Sequence, residues 1–167
     1  DFRFQRLSLM LCLEWALNRG VSREGPVEDD EEPRRHGEDT GDPRGFSSFE
    51  DVWGAFRTQL DGMVSAVVER VVNTIDDRHT IAPVPLLSAL VDGAIETRRD
   101  MTAGGAKFRT FGMLAESAAH TIDSLTAIKQ VIFEDRAATV EQLCDALDAD
   151  FEGYAWLRAK MQRSEER

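Results

Sequence analysis

The chain has 167 residues and carries 20 Lys and Arg against 31 Asp and Glu, a formal net charge of −11. That balance leaves no clustered cation to neutralise a polyanion, so a nucleic-acid partner is not expected. At 42% hydrophobic and 31% charged residues, the chain can bury one core and reads as one domain or at most two small ones. Its apolar runs fall far short of the roughly 20 residues needed to cross a bilayer, so no membrane partner is expected. Two cysteines, Cys12 and Cys144, make neither a disulfide framework nor a zinc spacing, which suits a reducing, cytoplasmic setting. The chain opens on Asp1 without a basic segment leading into an apolar one, so it reads as a cut start with no secretory signal.

In chain order, residues 7–18 (LSLMLCLEWALN) read as a helix apolar nearly all round, closed by Asn18, Arg19 and Gly20, and therefore in need of cover on most sides. Residues 23–45 hold Pro26, Pro33 and Pro43, four glycines and the acidic run Glu28 to Glu32, and read as a long solvated loop. Ser47 or Ser48 then caps a long amphipathic helix through Val52, Phe56, Leu60, Met63, Val67, Val71 and Ile75, which should stop before Pro83. Pro83 and Pro85 suit an extended entry to a helix carrying Leu86, Leu87, Leu90, Val91 and Ile95 to about Thr97.

The run from Asp100 to Gly112 has no helical period and pairs Gly104 with Gly105. It reads as a loop or short strand where the backbone approaches something closely. A further helix is expected from about Leu114 to Phe133 along Ala118, Ile122, Leu125, Ile128 or Lys129, and Ile132. Thr139 and Gln142 form a capping box ahead of Val140, Leu143, Leu147 and Phe151. A last helix holds Tyr154, Leu157 and Met161.

Chemistry-bearing residues are sparse. His36, His79 and His120 pair with no other ligand at a repeating spacing, and the Asp76-Asp77-Arg78-His79 run reads as a solvated helix end, so no metal is expected. Glu28 to Glu32 lack the alternation and central glycine of a calcium loop. Cys12, among Leu and Trp, reads as a buried inert thiol, and Cys144 lies beside Glu141 and Asp145, which would raise its pKa. No catalytic residue is assigned. Gly104-Gly105-Ala106-Lys107 does not have the phosphate-loop spacing, and fits instead a tight turn that brings Phe108, Thr110 and Phe111 to a pocket wall.

Five stretches carry a resemblance: LEWALNRG at 13–20, GEDTGDPRGFSSFEDVWGAFRTQL at 37–60, APVPLLSALVDGAIE at 82–96, GGAKFRTFG with DSLTAIKQVIFED ending at 135, and DFEGYAWLR at 150–158. Together, in register over nearly the whole chain, they resemble the region near the C-terminal end of glycyl radical enzymes. These form the pyruvate formate-lyase-like group, which includes glycerol and hydroxyproline dehydratases and choline trimethylamine-lyase.

The resemblance implies a ten-stranded α/β barrel as the family fold, with this segment (1–167, a partial domain) mostly α-helical with little strand. It also implies a cysteine, in a Gly-Cys-Val-Glu-like loop, that becomes a thiyl radical, and a glycine near the C-terminus that stores the radical. The match begins after the first and stops before the second. Cys12 aligns with an ordinary helix position, so the segment alone is expected to be inactive and to bind no cofactor directly.

In relatives the pattern Gly-Gly-Ala-x-Tyr-Asn-x-Thr-Gly approaches the substrate cavity. Phe108, Arg109, Thr110 and Phe111 are therefore the substrate-binding residues the resemblance implies, with Phe108 in place of Tyr, Arg109 of Asn and Phe111 of Thr. The partners implied are the remainder of the enzyme chain, a radical S-adenosylmethionine activating enzyme that installs the glycyl radical, and a second copy in a homodimer. The expected function is that of a segment of an anaerobic, cytoplasmic enzyme cleaving a C–C, C–N or C–O bond. The alternative is a stand-alone acidic helical interaction protein that descends from such an enzyme and has lost its chemistry.

Overall fold

The structure is a computed structural model that describes residues 2–23 and 35–164. The chain falls into two compact units, one of residues 1–7 and 64–114 and one of residues 8–63 and 115–167. The elements run β1 (Phe2–Ser8), α1 (Leu9–Ala16), α2 (Phe49–Ile81), α3 (Pro85–Ser88), α4 (Ala94–Thr97), β2 (Thr110–Glu116), α5 (Ala118–Ile128), α6 (Val140–Asp148) and α7 (Ala155–Ser164). A π-helical segment, Lys129–Glu134, continues α5.

In the unit of residues 8–63 and 115–167, the nearly all-apolar α1 is covered as its composition demands. Cys12, Leu13, Ala16 and Leu17 are buried with Val52 and Phe56 of α2, Ile128, Val131, Leu143 and Leu157. Burying a side chain of this size fully is worth about 1.5–3 kcal/mol, so this cluster is the unit's main source of cohesion. The Ser8 side chain caps α1 by accepting from Leu11 N–H. Beyond the helix Gly20 N–H returns to Trp15 O at 2.8 Å.

Cap chemistry also begins α2. Asp51 Oδ2 accepts from the backbone N–H groups of Ser47 and Ser48, each at 2.9 Å, while Asp51 N–H donates to Ser48 Oγ. The Thr139/Gln142 capping box is formed in full at α6.

Of the 23–45 loop, residues 24–34, and with them the acidic run Glu28 to Glu32, lie outside the described residues. The base of the loop is fastened. Val21 and Arg35 form an antiparallel bridge, and His36 and Gly37 both donate to Gly20 O, at 2.8 and 2.9 Å. Asp39 lies 3.1 Å from both Arg19 and Arg35. The loop ends in a 3-10 turn, Pro43–Gly45, capped by Asp42.

The unit of residues 1–7 and 64–114 holds the only sheet among the described residues, β1 paired with β2. Three sequence expectations are corrected here and at the neighbouring boundary. Residues 2–8 form a strand, so α1 starts at Leu9 and not at Leu7. The helix expected from Leu86 to Thr97 is two four-residue pieces, because Gly93 adopts φ 93° and turns the chain between them. The helix expected from Leu114 starts at Ala118, since 110–116 pair as β2 and Ser117 takes a left-handed conformation. Its last turn widens to i→i+5 bonding, with Asp135 N–H on Gln130 O at 2.7 Å. Ile122, expected on the buried face, is 62% exposed.

Candidate functional site

The segment around Gly104 is held from three directions. Lys107 N–H donates to Asp92 O at 2.8 Å and Gly105 N–H to Asp100 O at 3.0 Å. The Thr97 hydroxyl lies 2.6 Å from Gly93 O and 3.2 Å from Gly105 O. Such approaches leave no room for side chains. A Cβ on Gly105 would sit 2.0 Å from Arg99 O, and one on Gly93 would sit 2.7 Å from Lys107 N on a backbone already at positive φ. The glycines thus let two stretches of backbone touch, and the tight turn expected from the sequence is present.

Asp100 fastens the same turn from below. Its Oδ1 accepts from Thr102 N–H at 2.8 Å and from the Thr102 hydroxyl at 2.6 Å, and its Oδ2 accepts from Val84 N–H at 2.9 Å. The Thr102 hydroxyl, ahead of the other donors, holds the carboxyl at about 2, far below its ordinary 3.8. The buried Ser88 hydroxyl accepts from Met101 N–H at 2.9 Å. Asp100 and Ser88 escaped the sequence reading. The available signal was the Asp-x-Thr spacing of Asp100 and Thr102, which favours a local side-chain turn.

Phe108 is 74% exposed, with Lys107 Nζ 5.6 Å from its ring centroid. Arg109 and Thr110 are also exposed, and Arg109 Nη1 reaches back to within 3.2 Å of where a Cβ on Gly104 would stand. Phe111 lies in β2 and its side chain is outside the described residues. Phe108, Arg109 and Thr110 therefore stand together on the surface of their unit, carried by the fastened turn.

The other unit contains an apolar groove of about 430 Å³, lined by Leu13, Leu17, Ile128, Leu143, Leu147 and Phe151 among others, with Glu14 and Arg158 in its walls. Both thiols are buried. Burial pushes Cys12 up to about 11. Cys144 is also raised, but chiefly by burial, with Arg44 and Arg23 opposing; the carboxylates that contribute are Asp148 and Asp42. The Glu141 and Asp145 expected from the sequence do not figure among the groups that shift it, while the direction of the shift is the expected one. Among the described residues no group of three or more His, Cys, Asp or Glu is placed to hold a metal, and no helix is long and apolar enough to cross a membrane.

A family model described as pyruvate formate lyase-like matches residues 1–166. The chain belongs to that family, the glycyl radical enzymes. It is 38% identical over 150 residues to the trans-4-hydroxy-L-proline dehydratase of Clostridioides difficile, covering 89% of this chain and 18% of the relative. It is 34% identical over 119 residues to the isethionate sulfite-lyase of Bilophila wadsworthia, covering 69% of this chain and 14% of the relative. The crystal structure of the Clostridioides difficile hydroxyproline dehydratase with its substrate bound superposes with a TM-score of 0.81 at 33% identity, over 92% of this chain and 19% of that one. The chain thus spans less than a fifth of the length of these relatives. Its described residues, mostly helical with one two-stranded sheet among them, match one part of a glycyl radical enzyme.

Proposed function

We propose that residues 1–167 form a partial domain, lying between the cysteine loop and the radical glycine, of an enzyme that removes water from a small hydroxylated compound bearing a carboxylate or sulfonate, by radical chemistry. The observation that carries this reading is the 38% identity to a dehydratase across nearly all of the chain. The reading includes the ten-stranded barrel, to which this segment adds mainly outer helices and the loop and strand around Gly104 to Gly112. Hydrogen-atom abstraction by a thiyl radical, fed from a stored glycyl radical that a radical S-adenosylmethionine enzyme installs, is the chemistry the rest of the family fold supplies.

The residues of this chain contribute positioning and water exclusion. Phe108, Arg109, Thr110 and Phe111 would line the substrate cavity. Phe108 offers an apolar wall in place of a phenol. Arg109 offers a guanidinium in place of an amide, a forked donor suited to a carboxylate or sulfonate. The choice of a carboxylate- or sulfonate-bearing substrate is supported by the relatives, whose named substrates, hydroxyproline and isethionate, carry those groups.

The test is anaerobic activation of the enzyme carrying this segment by its activating enzyme. Electron paramagnetic resonance then reads the radical, and loss of water is assayed from trans-4-hydroxy-L-proline and from small hydroxylated carboxylates and sulfonates. A glycyl signal with turnover of one of these carboxylates or sulfonates is expected. No signal, or turnover of neutral diols alone, would overturn the reading.

A further inference from the structure

The backbone of the turn that precedes Phe108 and Arg109 is fastened at several points, and many of them converge on one side chain. Asp100 is the cap of the 3-10 turn Met101–Ala103. One of its carboxylate oxygens serves Thr102 twice, the other reaches across to Val84 N–H, and its carbonyl accepts from Ala103 and Gly105 N–H at 2.9 and 3.0 Å. Ser88, in α3, receives the next amide, Met101 N–H. A single residue thus ties the extended entry at Val84, the 3-10 turn and the glycine pair into one knot, and Lys107 is held at its far side by Asp92 O.

We infer that Asp100 is the positioning residue of the candidate substrate turn, setting where Phe108 and Arg109 stand without touching substrate itself. The inference rests on the reading above that places those residues beside substrate. One oxygen serves Thr102 and the other Val84 N–H, and the Ser88 hydroxyl is a further donor to the carboxylate. An amide in place of the carboxylate keeps only one acceptor oxygen, so one of the two segments, at Val84 or at Thr102, loses its partner and the other keeps it.

Hydrogen exchange followed by mass spectrometry on the chain, comparing wild type with Asp100→Asn, Asp100→Ala and Thr102→Val, tests this. In Asp100→Ala, exchange should quicken by about tenfold or more both in peptides around Val84 and in peptides spanning 101–107, as expected for lost charge-assisted bonds in a locally opening segment. In Asp100→Asn only one of the two peptides should quicken, while α6 amides keep their rate in both variants.

Should Asp100→Ala fail to fold, Thr102→Val decides. Removal of one hydroxyl should quicken 101–107 and leave α6 unchanged. Unchanged exchange at 101–107 in Asp100→Ala or Thr102→Val, or acceleration in Thr102→Val that reaches α6, would overturn the inference. In the activated enzyme Asp100→Asn should raise KM for the accepted substrate several-fold with kcat little changed, and an unchanged KM would overturn the positioning role. Failure of the radical-enzyme reading would show as no glycyl signal in the wild type and leave the exchange result standing.

Discussion

Gln59 and Glu38 exchange two hydrogen bonds across the base of the acidic loop. Gln59 Nε2 donates to Glu38 O at 2.7 Å and Gln59 Oε1 accepts from Glu38 N–H at 3.0 Å. The side chain, 1% exposed, thereby acts toward a loop backbone as a neighbouring strand would. The adjacent Gly37 has no room for a Cβ, which would stand 2.2 Å from Gln59 Oε1. Replacing Gln59 by Leu should cost about 1–3 kcal/mol, because it leaves a backbone donor and acceptor without partners at a site that admits little water. Urea denaturation followed by far-ultraviolet circular dichroism measures the loss, and a change within error of zero would show that the pair holds nothing.

The capping box at α6 gives a smaller effect with a clear chemical control. Thr139→Ala removes the acceptor for Gln142 N–H, 3.1 Å away, and should cost about 1 kcal/mol, while Thr139→Ser, which keeps the hydroxyl, should cost much less. The midpoint shift in urea for the two variants is the check.

What the sequence disclosed and what it hid divide by range. A cap at Ser47 or Ser48, and the Thr139 and Gln142 box, were legible because a cap is decided within four residues, whereas the part Asp51 plays was not read. The helix through Val52 and Phe56, and the buried character of α1, followed from the local spacing of apolar residues. The strand Phe2–Ser8 was not read, although Phe2, Arg3, Phe4 and Gln5 alternate, because its partner lies about a hundred residues away. The break between α3 and α4 was missed because the apolar spacing of Leu86, Leu90 and Ile95 runs through it. The Asp92-Gly93 pair was the local turn signal that outranked that spacing. At the candidate site, the glycines and the turn were legible, and the dependence of that turn on Asp100 was not, since Val84 and Thr102 meet only in three dimensions.

Acid should loosen the molecule at two marked places. Asp39 is held at about 2, first by its bond from Arg19 and then by Gly41 N–H, and Asp100 is held at about 2 by Thr102. Both carboxyl groups lie below their ordinary value when folded. Their contribution is therefore present above about pH 4 and is lost as pH falls toward 2. Asp39→Asn should flatten part of that dependence. The effect should shrink in high salt, because the Arg19 and Arg35 partners are exposed. Denaturation midpoints between pH 2 and 5 at low and high salt supply the measurement, and an unaltered pH profile in the variant would contradict the assignment.

The thiols should behave in the opposite sense. Burial raises Cys12 to about 11 against an ordinary 9.0, so its contribution to stability is complete below pH 9 and declines as pH rises toward 11. At pH 8 both thiols should react with a thiol reagent far more slowly in the folded chain than in urea. Fast labelling of either in the native state would contradict their burial.

The surface of the unit that carries β1 and β2 makes a further demand. Leu86, Leu90, Ile95 and Phe108 are 81%, 79%, 67% and 74% exposed, an unusual concentration for a chain needing no further cover. The isolated chain should therefore bind an apolar dye. Replacing Leu86 and Leu90 by Lys should reduce that binding without lowering the urea midpoint by more than a few tenths of a kcal/mol. Unchanged dye binding would place the sticky surface elsewhere.

The most direct test of the central claim is to read the encoding DNA through both ends of this frame. The account predicts an in-frame Gly-Cys-containing loop before Asp1 and an Arg-Val-Ser-Gly-like stretch after Arg167, the two radical-bearing segments that these residues lack. A start and a stop codon bounding the 167 residues would contradict it, and would leave an acidic helical protein that keeps the family fold without its chemistry.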